Sequence, residues 1–200
     1  MIIFKNLING HPFNELKKKY DEAINLDQKF IEVMALSTLN QNKNEVNSRF
    51  VNLKFITGNE MIFFSNYQSV KAKDIESNNQ TSCLFYWASI NTQIRIKGTI
   101  KKSDSLFSDN YFSSRDLKKN SIAISSEQSK EISSYDAVIK KYNDALKMGE
   151  KYLSTRPSYW GGYSIEPRYF EFWKGNESRI NKRKVYELQE GEWNRFYLQP

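Results

Sequence analysis

The residues best suited to chemistry in this 200-residue chain are cations set inside or beside apolar segments. Arg49 and Lys54 fall in the run RFVNLKFI, and Lys71 opens a short helical stretch. Arg95 and Lys97 share one face of QIRIKG, and Arg115 follows the aromatic pair Tyr111 and Phe112. Arg179, Arg183 and Lys184 lie in the C-terminal tail. A long cation in a strand ordinarily carries its head to water, so each alone reads as solvated. Their partner, if they act together, is an anion. Trp87, Trp160 and Trp173 offer flat faces that either stack on a planar ligand or fill a core. Other chemistries lack their residues. No P-loop, GxGxxG, HExxH or GxSxG occurs. One histidine, His11, builds neither a metal cluster nor a triad. It reads as a helix-start residue before Pro12. One cysteine, Cys83, forms no internal disulfide or CxxC site and reads as a small buried apolar residue.

These side chains need a scaffold, and the composition supplies one. Hydrophobic residues are 39% and aromatic residues 14%, enough for a core and too many for a disordered chain. The length fits one compact domain or one subunit of an oligomer. No run reaches the roughly 20 apolar residues of a membrane span, and MIIFKNLINGHPF lacks a basic n-region and a long apolar core, so no secretory signal is read. A cytoplasmic setting is expected. The net charge of +7 favours an anionic partner. Nucleic acid is not expected. Lys182, Arg183 and Lys184 are flanked by Glu177, Glu187 and Glu190, and no RNP-like aromatic motif occurs.

Periodicity predicts a helix from Pro12 to about Leu26, with Phe13, Leu16, Tyr20, Ala23 and Ile24 on one face. Strands are predicted over residues 33–39, 49–56, 61–65, 81–87 and 93–100, and a short helix over 69–77. Helices follow over 105–114 and from an N-cap at Ser134 to about Met148. RPSYWGG reads as a loop. Strands return at 163–165, 169–173, 184–188 and 193–198, with a hairpin turn over 189–192. Short turns between strands imply antiparallel pairing, hence an α+β fold with a barrel.

The ordered phrases VMALST, SRFVNLK, FFSNYQSVKA, LFYW and QIRIKG, then YFSSR, SSEQS, PSYWGGY and FEFWKGNESRINKR, carry a resemblance. Together, from about residue 32 to Pro200, they resemble the pyridoxamine 5′-phosphate oxidase family of FMN-binding split-barrel proteins. The resemblance implies an antiparallel, Greek-key split β-barrel with flanking helices. Residues 1–31 form an N-terminal helical extension and 32–200 a single FMN-binding domain.

The same resemblance implies an FMN-dependent oxidase that takes the substrate C4′ carbon to pyridoxal 5′-phosphate with dioxygen, releasing peroxide. FMN contacts fall on Arg49, Lys54, Phe64, Ser65, Lys71, Gln93, Gln128, Ser129, Trp173 and Arg183. The substrate phosphate falls to Lys54, Tyr111, Arg115 and Lys119, and the reacting ring to Arg179 and Asn181, the catalytic pair. No metal is implied. A homodimer is implied, with FMN between subunits and Trp87 and Trp173 suited to a buried interface. Three positions depart from the family pattern: Val70 for an Arg, Lys119 for a Ser, and Asn181 for a His. Two alternatives stay open. One is a related oxidase acting on another planar anion such as a phenazine precursor. The other is a protein that binds flavin, pyridoxal phosphate or haem without turnover.

Overall fold

The computed structural model describes all residues, Met1–Pro200. Nine strands and six α-helices follow the chain as β1 (Ile3–Lys5), α1 (Pro12–Asn25), β2 (Val33–Asn40), β3 (Glu45–Thr57), β4 (Glu60–Asn66), α2 (Val70–Ser77), β5 (Gln80–Trp87), β6 (Thr92–Lys102), α3 (Ser105–Ser113), α4 (Leu117–Ser125), α5 (Tyr135–Leu146), α6 (Glu150–Ser154), β7 (Trp160–Lys174), β8 (Lys182–Gln189) and β9 (Glu192–Leu198).

The sheet order is β1-β3-β2-β5-β6-β7-β8-β9, and β4 pairs with both β3 and β7. That double pairing closes β3, β2, β5, β6, β7 and β4 into a barrel, which leaves no free edge among those six. All pairings but one are antiparallel; β1 runs parallel to β3, with Ile3 opposite Phe55. β7 is shared. Its first half pairs with β4, and its second half turns to β8. The expected α+β split barrel is therefore the observed fold.

Alternation fills the barrel. Ile94 and Ile96 are fully buried while Gln93 and Arg95 are half-buried and Lys97 is exposed. Leu36, Leu53, Phe63, Cys83, Phe85 and Phe170 complete the interior. Helix α1 joins the same core through Phe13, Leu16, Tyr20 and Ala23. Its start is set by Pro12 in the first turn and by His11, whose Nδ1 accepts from the Phe13 N–H at 3.3 Å. The hairpin between β8 and β9 turns through Glu190 and Gly191, both at positive φ, the two-residue turn that matches strand twist.

Several expectations change. β1, α4 and α6 were not anticipated, being too short or too polar to show a period. The two strands expected around Pro167 are one strand, and its start absorbs Trp160, Gly161 and Gly162 from the expected loop. Pro167 is tolerated because the register shifts there: Lys97 faces Tyr169, while Gly98 faces Pro167. Gly98 is required at that bulge, since a Cβ would stand 2.3 Å from the Glu166 carbonyl oxygen. Trp87 is core, not interface. It is 1% exposed, and its Nε1 donates to the Ile31 carbonyl at 3.1 Å.

Candidate active site

β3, β4 and α2, with the ends of α3 and β7 and the loop after α4, enclose a cavity of about 510 Å³. That size suits a cofactor-sized ligand. Arg49 and Lys54 enter from β3, Phe64 and Ser65 from β4, and Lys71 from α2. Tyr111 and Arg115 enter from α3 and the residues after it, Gln128 and Ser129 from the loop, and Trp160 from β7.

Lys71 is the least ordinary of these. It is 7% exposed, and its ammonium donates to Ser65 Oγ at 2.9 Å, Ser69 Oγ at 3.0 Å and Gln128 Oε1 at 3.2 Å. All three acceptors are neutral. Burial, then the nearby Arg49 charge, lower its pKa to about 8. Arg49 is held by Thr38 Oγ1 at 2.6 Å and by Asp74 at 3.4 Å. Asp74, one turn along α2 from Lys71, is fully buried and also accepts from Thr38, Asn40 and Asn47.

The other cations sit beside a stack of rings. Tyr111 lies on Phe64 with centroids 3.9 Å apart, and Phe64 on Trp160 at 5.2 Å. The Arg115 guanidinium lies 4.5 Å from the Trp160 centroid, a cation–π contact. Burial lowers the Arg115 pKa and raises that of Tyr111. Arg115 NH1 is buried without a hydrogen-bond partner. Lys54 lies 3.6 Å from Glu32. Partial burial opposes the Glu32 charge, but its own backbone N–H, the Met1 amino group and Lys54 outweigh it, so the carboxyl is held below its usual range. Lys119 is exposed on the rim of an adjoining cavity of about 210 Å³, which shares Phe64, Ser65, Arg115, Gln128 and Trp160 with the first.

The sequence-derived site residues thus divide. Arg49, Lys54, Phe64, Ser65, Lys71, Tyr111, Arg115, Gln128 and Ser129 share one cavity, and Lys119 adjoins it. Gln93, Trp173 and Arg183 do not line it. They are successive cross-strand partners on β6, β7 and β8. Arg183 is held by Glu171 at 2.7 Å, which also takes Arg95 at 3.0 Å. Arg179 and Asn181 are in the β7–β8 loop, where Arg179 is exposed at φ 60° and Asn181 Oδ1 accepts from the Asn176 N–H. Sequence reasoning missed Asp74 and Glu32, since an acid among polar neighbours carries no signal of the cation it meets. Val70 also lines the cavity and supplies no charge there.

A family model described as pyridoxamine 5′-phosphate oxidase matches residues 16–147. This chain belongs to the pyridoxamine 5′-phosphate oxidase family. A second model, described as the pyridoxine 5′-phosphate oxidase C-terminal dimerisation region, matches residues 160–200, which span β7, β8 and β9. The chain is similar to the pyridoxine/pyridoxamine 5′-phosphate oxidase of Herminiimonas arsenicoxydans, at 34% identity over 94% of this chain and 89% of that one. It is similar to that of Legionella pneumophila (strain Paris) at 36% identity, over 94% and 87%. Among solved structures, PhzG from Burkholderia lata 383, crystallised with tetrahydrophenazine-1-carboxylic acid, superposes with a TM-score of 0.88 at 25% identity, covering 95% of this chain and 93% of that one. No helix of this family member is long and apolar enough to cross a membrane.

Proposed function

We propose that this chain is an FMN-dependent oxidase that converts pyridoxamine or pyridoxine 5′-phosphate to pyridoxal 5′-phosphate, with dioxygen as acceptor and hydrogen peroxide as product. The observation that carries the reading is a buried ammonium, Lys71, facing a cofactor-sized cavity with neutral acceptors only. A buried cation without a counter-charge is costly, and a phosphate offsets that cost. The orphaned Arg115 NH1 makes the same demand at a second place in the cavity. Two anionic groups, one on a cofactor and one on a substrate, answer both.

Lys71 and Arg49, with Ser65, Gln128 and Ser129, are assigned to the FMN phosphate. Lys54, Tyr111, Arg115 and Lys119 are assigned to the substrate phosphate, at roughly 1.5–3 kcal/mol per charged hydrogen bond. Bound FMN supplies the hydride acceptor and its reoxidation by dioxygen. The chain's own residues bind and orient. The Tyr111–Phe64–Trp160 stack gives the cavity a flat apolar wall that excludes water, and Arg115 is braced against it. No acid–base pair is needed for that division of labour.

The remaining assigned residues are completed by a second copy. Gln93, Trp173, Arg183, Arg179 and Asn181 stand on or beside β6, β7 and β8, away from the cavity of their own chain. Four of them, Trp173, Arg179, Asn181 and Arg183, fall in the segment matched by the dimerisation model. In a homodimer they would line the partner's cavity, which puts FMN between the subunits. The enzyme is placed in the cytoplasm on the same reading.

A second reading, an oxidase for another planar anion, draws on the likeness to PhzG. The phosphate-demanding cations favour the first. Turnover separates these readings from a passive flavin carrier, since only an oxidase releases peroxide with pyridoxine 5′-phosphate. Binding tests the phosphate assignment: FMN should bind well over tenfold tighter than riboflavin, as pyridoxal 5′-phosphate should bind better than pyridoxal. Equal affinity for FMN and riboflavin would refute the phosphate assignment.

A further inference from the structure

The cavity's cations are of two kinds. Lys71 and Arg115 have no carboxylate in ion-pair contact, whereas Arg49 has Asp74 at 3.4 Å and Lys54 has Glu32 at 3.6 Å. The two carboxylates are held very differently. Asp74 is 0% exposed and is fixed by Thr38 Oγ1 at 2.7 Å, Asn40 Nδ2 at 3.0 Å and Asn47 Nδ2 at 3.3 Å, besides Arg49. Its carboxylate is fixed in place beside Arg49.

Glu32 precedes β2, and its side chain is 24% exposed. Its backbone is pinned, because its carbonyl accepts from the Leu53 N–H at 2.9 Å. Its carboxylate is not. Besides its own backbone N–H, it meets Lys54 at 3.6 Å and the Met1 amino group at 3.5 Å, both longer than a good charged hydrogen bond. Lys54 is itself 29% exposed and lines the cavity. A loose, part-exposed ion pair at the edge of an anion site can exchange one partner for a stronger one.

We propose that Glu32 is the exchangeable counter-ion of Lys54: it occupies the ammonium in the ligand-free cavity and yields it to an incoming phosphate. The inference rests on the substrate-phosphate role given to Lys54 above. Glu32 is then an internal competitor that weakens the grip on a phosphorylated substrate and on its phosphorylated product alike. Binding is moderated at the one cation whose neighbour can move, while Arg115 keeps its full charge for the ligand.

The test is calorimetric titration of the FMN-loaded protein with inorganic phosphate and with pyridoxal 5′-phosphate. Four forms are compared: the parent, Glu32→Gln, Lys54→Met and the double variant. Glu32→Gln should tighten both ligands about two- to fivefold, the range of a part-exposed pair. It should leave FMN affinity unchanged and lower the thermal midpoint only slightly, because both ion contacts are long and part-exposed. In the Lys54→Met background the same substitution should have no effect. Unchanged or weaker phosphate binding by Glu32→Gln that melts cooperatively as a folded protein would overturn the proposal. So would equal tightening in the Lys54→Met background, which would mark a general charge effect, or no phosphate binding by the parent. If the parent binds inorganic phosphate with the Glu32 effect but no pyridoxal 5′-phosphate, the counter-ion stands and the B6 reading fails. If the protein takes up no FMN, that reading fails too, and the phosphate titrations proceed on the protein as purified.

Discussion

The ammonium of Lys71 donates to Ser65 Oγ at 2.9 Å, and every hydrogen-bond acceptor around it is neutral. α2 and β4 together hold one positive charge out of water and leave it for a ligand to satisfy. Such a group costs the empty protein stability in return for affinity. Lys71→Met should therefore stabilise the flavin-free protein by on the order of 1 kcal/mol, which raises its thermal midpoint by about 2–4 °C. The same change should remove most of the preference for FMN over riboflavin. Paired melting and flavin titrations check both. A lower midpoint would mean that the ammonium is a structural tie.

The pH dependence of FMN binding follows from the same residue. Burial, then Arg49, place the Lys71 pKa at about 8 in the empty site. Above that pH the amine is neutral, and a bound phosphate must draw a proton back onto it. FMN affinity should be level below about pH 8 and fall by up to about tenfold per pH unit above it. In Lys71→Arg the level region should extend further, since a guanidinium does not deprotonate in that range. Fluorescence titrations of FMN from pH 6.5 to about 9.5 follow the change.

Arg115 reads its position from Trp160, whose ring lies 4.5 Å away. Trp160→Leu keeps an apolar wall but removes the cation–π contact. The KM for pyridoxine 5′-phosphate should rise about 3- to 30-fold, the equivalent of a partly desolvated contact, with a smaller change in kcat. A change confined to kcat would assign Trp160 to the flavin instead.

His11 links stability to pH. Its Nδ1 caps α1 by accepting from Phe13, which requires an unprotonated nitrogen, and burial lowers its pKa below 6.5. The unfolded chain then takes up the proton first. Stability is full above about pH 6.5 and is lost as pH falls from there toward the folded-state value. His11→Asn retains a capping side chain and cannot titrate, so its melting temperature should lose that part of the slope between pH 7 and 5.

How far the sequence spoke depended on range. Alternation in QIRIKGTI and the spacing of Phe13, Leu16, Tyr20 and Ala23 announce β6 and α1, because local period alone decides them. β1 is three residues long and is a strand only because β3 runs beside it. The gap between the strands predicted over 163–165 and 169–173 is closed by a bulge opposite Gly98 that no local pattern encodes. In the site, Arg49, Lys71 and Arg115 were legible as cations in apolar settings. Asp74 and Glu32 were not, since their meaning comes from cations 25 and 22 residues away in sequence that the fold brings within 4 Å. Gln93, Trp173 and Arg183 were named together from the family pattern, and one chain alone does not bring them to the cavity.

The central claim is that the cavity joins a flavin to a phosphorylated B6 substrate, and one measurement tests it most directly. FMN-loaded protein is mixed with pyridoxine 5′-phosphate without oxygen, the flavin absorbance is followed, and air is then admitted while peroxide is assayed. The account predicts that the visible flavin band bleaches, that it returns in air with one peroxide per pyridoxal 5′-phosphate formed, and that unphosphorylated pyridoxine does neither at the same concentration. A flavin band that pyridoxine 5′-phosphate and pyridoxamine 5′-phosphate both leave unchanged would contradict it.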